Sequence, residues 1–466
     1  MDFCVLYRKN GYFAENETKS KTVDSVRWIG SYYKVDYHTI DNKRIISYYS
    51  TQDDLNSIYI AENESNPYVF LLCGYIFSDN SIVTEAKDLD HGFMGENYYG
   101  TYLVGRITKT FDVYSVDEVG MYPIYYLDSD DYLVVGNNPH LMAVHAHELG
   151  LEITVEKSLA LWYVTSITVE SDCTGYHEIK RLRPFHYLTI KDNKVCICEK
   201  GLVSCHEREE ALNICIKQMS DAIRHLNEKY YVSAHLTGGF DTRVILGLIM
   251  NANLHNEIRF IVEGCDDNPD VIIAKLLQKK FGLLLEHKFS YKKLISESVE
   301  DILNESLMHC IATSCEKGYV NIGYTCSGDR NCKLLTGFCA GFARPIMAQN
   351  LIATLERKFK KQIDINNLSS EEMQVAWDCL GYSDNDRCYI SDYGWDIYRD
   401  NRKIIFNIGM NRFSNVLDTA DSLHVYRMRN HGGGFLYRNN NALVFNNPYL
   451  FQLGRMYSEP ERRNAK

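Results

Sequence analysis

The chain has 466 residues, 45% of them hydrophobic, with 61 acidic against 50 basic side chains and a formal net charge of −11. That length implies about two to three domains with ample core, and the acidic balance lacks the basic footprint of a nucleic-acid-binding protein. No apolar run is long enough to cross a bilayer, the start Met1-Asp2-Phe3-Cys4 is wrong for a secretory leader, and fifteen scattered cysteines suit a reducing cytoplasm, so neither nucleic acid nor membrane is expected as a partner.

Residues 1–204 read as β-rich, with short alternating runs such as Tyr68–Cys73 and Tyr132–Val135 between turn residues. Cys196 and Cys198 stand only one residue apart without a second matching pair, which is poor spacing for zinc. From about residue 205 the pattern changes. Ala211–Leu226 carries apolar residues at helical spacing, and strands then alternate with helices as in a parallel α/β sheet. The spacing predicts strands over Tyr230–Ala234, Arg259–Val262 and Lys333–Gly337, with helices over Val244–Met250 and from Pro269 onward. The group Cys310, Cys315, Cys326, Cys332 and Cys339 is read as buried thiols ahead of a metal cluster. Residues 369–466 read as helical with long polar loops, and Gly432-Gly433-Gly434 as a flexible or tightly turning connection.

The most informative stretch is His235-Leu236-Thr237-Gly238-Gly239-Phe240-Asp241-Thr242-Arg243, between a predicted strand and an apolar helix. Such a turn suits an anion. Two glycines let backbone N–H groups close on phosphate oxygens, and the helix N-terminus adds its partial positive charge. The hydroxyls of Thr237 and Thr242 can bond the same oxygens, and Asp241 can hold a Mg²⁺ ion. There is no Gly-Lys-Ser/Thr, so this is not the Walker loop. Ligands of parallel sheets sit at the carboxyl ends of strands, which places Glu263 and Gly337 on the same rim.

The stretch resembles the Ser/Thr-Gly-Gly-x-Asp-Ser/Thr pyrophosphate loop of ATP-pyrophosphatase enzymes, in the form found in the asparagine-synthetase-like family. Other segments are similar to that family in the same order: Tyr98–Val104, Asp117–Tyr126 with its Gly120 and Pro123, Glu178–Leu188, and Asn268-Pro269-Asp270. Tyr426–Arg429 and Pro448–Leu450 fit late family segments. The resemblance implies two domains in an α/β and α+β chain. Residues 1–204 would be a β-rich, N-terminal-nucleophile, glutaminase-like domain. Residues 205–466 would be an α/β pyrophosphate-loop synthetase domain, shortened at its C-terminus.

Three departures bear on activity. Asp2 stands where glutamine-dependent members carry a nucleophilic Cys after the initiator Met, and Cys4 has no free α-amine to serve as base, so glutaminase activity is not expected. Thr336–Arg344 holds no Asp or Glu where the family offers a second metal carboxylate. The chain stops soon after Pro460–Arg463, so lysines of later family segments have no evident counterpart, and Lys466 is not assumed to replace one.

The resemblance therefore implies an AMP-forming amide ligase that uses ATP and Mg²⁺ to adenylate a carboxylate. The acyl group would pass to ammonia or to a substrate amine, a peptide included, as in lasso-peptide cyclases and β-lactam synthetases of similar architecture. Leu236, Thr237, Gly238, Gly239, Asp241, Thr242, Arg243, Glu263 and Gly337 would form the nucleotide site, with Asp241 on the metal and Arg344 a further phosphate candidate. A catalytically degenerate nucleotide-binding or scaffold protein stays open beside it, as does a sulfur- or RNA-modifying pyrophosphatase.

Overall fold

The computed structural model describes residues 2–13, 34–50, 57–61, 68–78, 81–89, 98–156, 172–203, 205–288, 331–379, 391–413, 415–438 and 441–464. It is a mixed α/β structure with two antiparallel sheets and one parallel sheet. The antiparallel strands are β1 (Asp2–Arg8), β2 (Lys34–Asp41), β3 (Arg44–Ser50), β4 (Ile58–Ala61), β5 (Tyr68–Phe77), β6 (Ile82–Val83), β7 (Tyr99–Ile107), β8 (Asp112–Val116), β9 (Tyr125–Asp128), β10 (Tyr132–Gly136), β11 (Lys180–Arg181), β12 (His186–Lys191) and β13 (Lys194–Glu199). One sheet runs β11-β9-β10-β1-β3-β2. The other runs β13-β12-β8-β7-β5-β4, with β6 beside β5.

Side chains along β5 alternate between two cores. Val69, Leu71 and Cys73 meet Phe3, Val5 and Leu133 between the sheets. Phe70, Leu72 and Ile76 face the other way, against Tyr102, Val104 and Leu89. Both faces are covered, so Tyr68–Cys73 is apolar throughout rather than apolar-in and polar-out. The first sheet is closed on its outer side by helix α1 (Pro139–Glu148), whose Met142 and Ala146 pack on Cys4, Leu6 and Val134. The β-rich reading of this portion did not anticipate that helix. Its start is nevertheless written in Asn138-Pro139: Asn138 Oδ1 accepts the amides of His140 and Leu141 at 3.0 and 3.3 Å, and Pro139 takes the position that needs no N–H.

The parallel sheet is built from β14 (Tyr231–His235), β15 (Arg259–Glu263), β16 (Leu284–Lys288), β17 (Cys332–Leu335) and β18 (Asn441–Ala442), in the order β16-β15-β14-β17-β18. Helices α2 (Arg208–Lys229) and α3 (Phe240–Asn251) bury Ala222, Ile223, Leu226, Ile245 and Ile249 in one core with Val232, Ala234, Phe260 and Val262 of the strands. Helix α4 (Pro269–Phe281) joins β15 to β16 and begins on a second Asn-Pro pair, Asn268 Oδ1 accepting the Asp270 amide at 2.8 Å.

The remaining helices are α5 (Ile346–Phe359), α6 (Ser370–Cys379), α7 (Asp392–Phe413), α8 (Val416–Arg438), α9 (Pro448–Arg455) and α10 (Glu459–Asn464). The expectation of a turn at Gly432-Gly433-Gly434 is corrected here, because α8 continues through all three residues. Once neighbouring turns supply the i→i−4 bonds, glycine lowers helix propensity without forbidding the helix. Strand β18 is a second departure from the sequence reading. It is two residues long, too short for a periodic signal, yet it extends the parallel sheet beside β17. Of the cysteine group, Cys332 is half-buried and Cys339 buried, while Cys310, Cys315 and Cys326 lie outside the described residues. Among the described residues no helix is long and apolar enough to cross a membrane.

One hydrophobic core joins the antiparallel and parallel parts. Tyr75, Phe77, Tyr99, Met121 and Phe185 belong to the same buried cluster as Phe342, Val444 and Phe451.

Candidate anion site at the switch point of the parallel sheet

In the order β16-β15-β14-β17-β18 the chain proceeds in one direction from β14 and in the other from β17. The crevice between the carboxyl ends of β14 and β17 is therefore the topological switch point, where parallel sheets place ligands. Two segments meet there: residues 236–239, which lead into α3, and residues 336–344, which follow β17.

The Gly-Gly loop is tightly bonded within itself. Thr237 N–H donates to Thr242 Oγ1 at 3.1 Å, the two threonine hydroxyls lie 2.9 Å apart, and Gly239 N–H donates to Thr237 Oγ1 at 3.0 Å. Gly238 N–H donates to Asp270 Oδ1 at 2.8 Å. The glycines answer to close packing rather than to unusual torsions: Gly239 has φ −64°. A Cβ on Gly238 would stand 2.6 Å from Ile273 Cδ1 and 3.0 Å from Asp270 Oδ1.

Gly337 serves the opposite wall. A Cβ there would lie 2.7 Å from the Cβ of Asp241, so only glycine lets the β17 loop press against the first turn of α3. Beyond it, a short 3₁₀ turn (Ala340–Ala343) returns Arg344 toward the loop, where its Nη2 meets Asp241 Oδ1 at 2.9 Å and its guanidinium lies 5.7 Å from the Phe240 ring centre. Both partners of this pair are about one-third exposed (36% and 35%), and such a pair contributes little to stability. Thr336 Oγ1 and Arg344 Nε are buried without a hydrogen-bond partner among the described residues.

Of the residues expected from the sequence, Thr237, Gly238, Gly239, Asp241, Thr242 and Gly337 come together here. Leu236 is fully buried in the core and its N–H bonds Ile261 O at 2.9 Å, so it anchors the loop and offers no side chain to a ligand. Arg243 is exposed, with its Nε on the Gly239 carbonyl at 3.3 Å over the first turn of its own helix. Glu263 ends β15 and lines a neighbouring open cleft of about 640 Å³ with Gly264, Cys265, Asp267, Asn268 and Pro269. Burial holds His235, the last residue of β14, below the usual histidine range, while Glu263 pulls it upward and Lys288 pushes it further down.

Sequence reading underweighted Asp270 and Arg344. Nothing in their spacing reveals that the first turn of α4 abuts Gly238 or that the 3₁₀ turn reverses onto Asp241.

Two threonine hydroxyls, the Gly238 and Gly239 amides and the Arg344 guanidinium are the groups at the loop that could bond a polyphosphate; both amides are bonded within the structure, to Asp270 and to Thr237, and would have to exchange partners. For a divalent cation the fit is thinner. Asp241 and Asp270 are the carboxylates at the loop, each with one oxygen bonded, and the described residues contain no group of three or more His, Cys, Asp or Glu side chains placed to hold a metal. Mg²⁺ commonly makes do with one or two carboxylates, since substrate phosphates and waters complete its shell.

At the other end of the chain, Asp2 lies buried in β1 with its Oδ2 accepting from Asn138 Nδ2 at 3.2 Å. Cys4 is wholly enclosed, and burial pushes its thiol far above the usual range.

No protein-family model matches the sequence, and no curated protein matches it. The structure is similar to the glutamine phosphoribosylpyrophosphate (PRPP) amidotransferase from B. subtilis complexed with ADP and GMP, at 10% identity over 74% of this chain and 77% of that one, with a TM-score of 0.29. It is likewise similar to a structure described as the allosteric regulatory enzyme of purine biosynthesis, at 10% identity over 77% and 78% of the two chains and a TM-score of 0.28. Likeness at this level assigns no activity to the chain.

Proposed function

We propose that the chain is an AMP-forming, ATP-dependent amide ligase without glutaminase activity. The observation that carries the reading is the Thr237–Thr242 loop at the switch point, faced by Arg344. A carboxylate oxygen of the substrate attacks the α-phosphorus of ATP, the bond from that phosphorus to the bridging oxygen of the β-phosphate breaks, and pyrophosphate leaves with the electron pair. Ammonia or a substrate amine then adds to the acyl carbon, AMP departs, and the proton on nitrogen passes to solvent.

In this reading Thr237, Thr242 and the amides of Gly238 and Gly239 hold the departing pyrophosphate, and Arg344 balances its charge. Asp241 would hold Mg²⁺, with phosphate oxygens and waters completing its shell. That ion supplies further neutralisation of the phosphate oxygens. Glu263 and the cleft beside it offer room for the rest of the nucleotide or for the carboxylate substrate. Residues 1–204 act as a catalytically silent glutaminase-like scaffold, which the buried positions of Asp2 and Cys4 support, and residues 205–466 as the synthetase domain. The site of action is the cytoplasm.

The second reading, a nucleotide-binding or scaffold protein without turnover, draws on two observations: Asp241 is already paired with Arg344, and residues 336–344 after β17 hold no carboxylate. ATP–pyrophosphate exchange across a panel of carboxylates separates the two. Exchange with any member supports the ligase. Mg-ATP binding without exchange leaves the binding protein. Binding itself is read by thermal shift, since a ligand at about 100 times its dissociation constant stabilises a fold by about 2.7 kcal/mol.

A further inference from the structure

We propose that Asp270 is a resident carboxylate on the anion-binding face of the Gly-Gly loop, displaced when a phosphate group binds, and that its charge sets which anions the loop admits. The inference rests on the pyrophosphate-loop reading and deepens it.

Asp270 Oδ1 takes the Gly238 N–H at 2.8 Å, so one of the two glycine amides that would greet a phosphate already carries an anion. The other, Gly239 N–H, rests on a neutral hydroxyl, Thr237 Oγ1, at 3.0 Å. Asp270 is well held in this position. Its own N–H bonds the Asn268 cap at 2.8 Å, Pro269 fixes the entry to α4, and the carboxylate lies in the first turn, where the helix dipole favours negative charge. A single N–H points at one acceptor position, and Asp270 Oδ1 already fills it at 2.8 Å, so the Gly238 amide cannot serve both anions. A phosphate oxygen seated on the Gly238 amide would meet a like charge at hydrogen-bond distance. The carboxylate must therefore rotate away, and the open cleft lined by Asn268 and Pro269 adjoins it. An anion that gains several contacts at once, to the threonine hydroxyls and Arg344, can displace it, whereas one making a single contact cannot.

The test is calorimetric titration of the full chain with inorganic pyrophosphate, first in EDTA and then in Mg²⁺, for the wild type, Asp270→Ala, Asp270→Asn and Thr242→Ala. Circular dichroism and melting temperature confirm that each variant is folded. In EDTA, Asp270→Ala should bind pyrophosphate about tenfold more tightly, because a charge-assisted bond no longer has to be broken. Asp270→Asn keeps an acceptor for the Gly238 amide without the charge and should fall between the two, and Thr242→Ala should bind more weakly than wild type. If the wild type binds and Asp270→Ala binds equally or less tightly, the displacement proposal is overturned while the loop reading stands. Weakening of Asp270→Ala in Mg²⁺ alone would also overturn it, by making Asp270 a cation ligand. If none of the folded proteins binds pyrophosphate, the loop reading itself fails and this proposal with it.

Discussion

The side-chain amide of Asn446 donates to the buried carboxylate of Asp117 at 2.7 Å, joining positions 329 residues apart. Asp117 also accepts the amides of Val119, Gly120 and Met121 on the same oxygen at 3.0–3.1 Å. Nearby, Tyr99 OH donates to Val444 O at 2.7 Å and Leu443 N–H donates to Tyr75 Oη at 2.7 Å. The segment that leaves the parallel sheet after β18 is thus fastened to the turn that follows β8.

Two substitutions measure that fastening. Burial pushes the Asp117 pKa up, while Asn446, the backbone amides and Lys200 pull it down. Asn446→Leu should lose about 1.5–3 kcal/mol, the range for a hydrogen bond to a charged group. Asp117→Asn turns an amide NH₂ toward several N–H donors and should lose about 3 kcal/mol or more. Urea denaturation reads both. If the antiparallel and parallel parts unfold together in the wild type, Asn446→Leu should lower that single midpoint. An unchanged midpoint would show that the Asn446 contact does not couple them.

A pair of glycines near the candidate site should respond in opposite senses. Gly337→Ala places a methyl 2.7 Å from the Asp241 Cβ, which forces the β17 loop off the start of α3. A loss of about 1–3 kcal/mol, typical of overpacking, should accompany a smaller Mg-ATP thermal shift. Gly247 stands on the exposed side of α3 with open space around its would-be Cβ. Gly247→Ala should raise stability by about 0.5–1 kcal/mol through helix propensity and leave ligand binding unchanged. A Gly337→Ala protein as stable as wild type would mean that the two walls are not in close contact.

Local signals in the sequence proved legible where they were strong. The apolar run after Arg243, the Pro269 start and the short stretches at 230–234 and 259–262 correspond to α3, α4, β14 and β15, the two strands within one residue at their ends, because hydrophobic spacing and turn residues agree at each. The meeting of Gly337 with Asp241 follows from strand order, since β17 lies beside β14 although 96 residues separate the end of one from the start of the other. No periodicity encodes that adjacency. Neither does any signal announce that Asp270 bonds Gly238 or that Arg344 turns back to Asp241, because each contact depends on where two loops end. The helix through Gly432–Gly434 shows the converse: residue preference there pointed to a turn, and the surrounding chain overrode it.

Arg344 offers a test in which binding and stability separate. Its pair with Asp241 is partly exposed, so Arg344→Gln should change stability by less than about 1 kcal/mol. The Mg-ATP thermal shift should nevertheless fall, and Arg344→Lys should restore only part of it, because a single ammonium lacks the planar fork of the guanidinium. Equal thermal shifts in wild type and Arg344→Gln would remove Arg344 from the phosphate site.

Acid stability should depend on a buried histidine. Tyr49 Oη and His145 Nε2 lie 2.6 Å apart beneath α1, and burial lowers the His145 pKa from 6.5 to about 4. A histidine kept neutral in the fold binds its proton more readily once unfolded, so stability is intact above pH 6.5 and is lost as pH falls toward 4. A shift of that size corresponds to about 3 kcal/mol when fully expressed. Asp112 and Asp421 move the other way, with carboxyls raised by burial to about 6 and about 7, and they add stability as pH falls. The diagnostic is therefore the difference between two proteins measured side by side. His145→Gln keeps a polar group for Tyr49 but cannot titrate, so its urea midpoint should lie below the wild type at pH 7 and draw level with or pass it by pH 4.5. Parallel pH profiles for the two proteins would rule His145 out as the source of acid sensitivity.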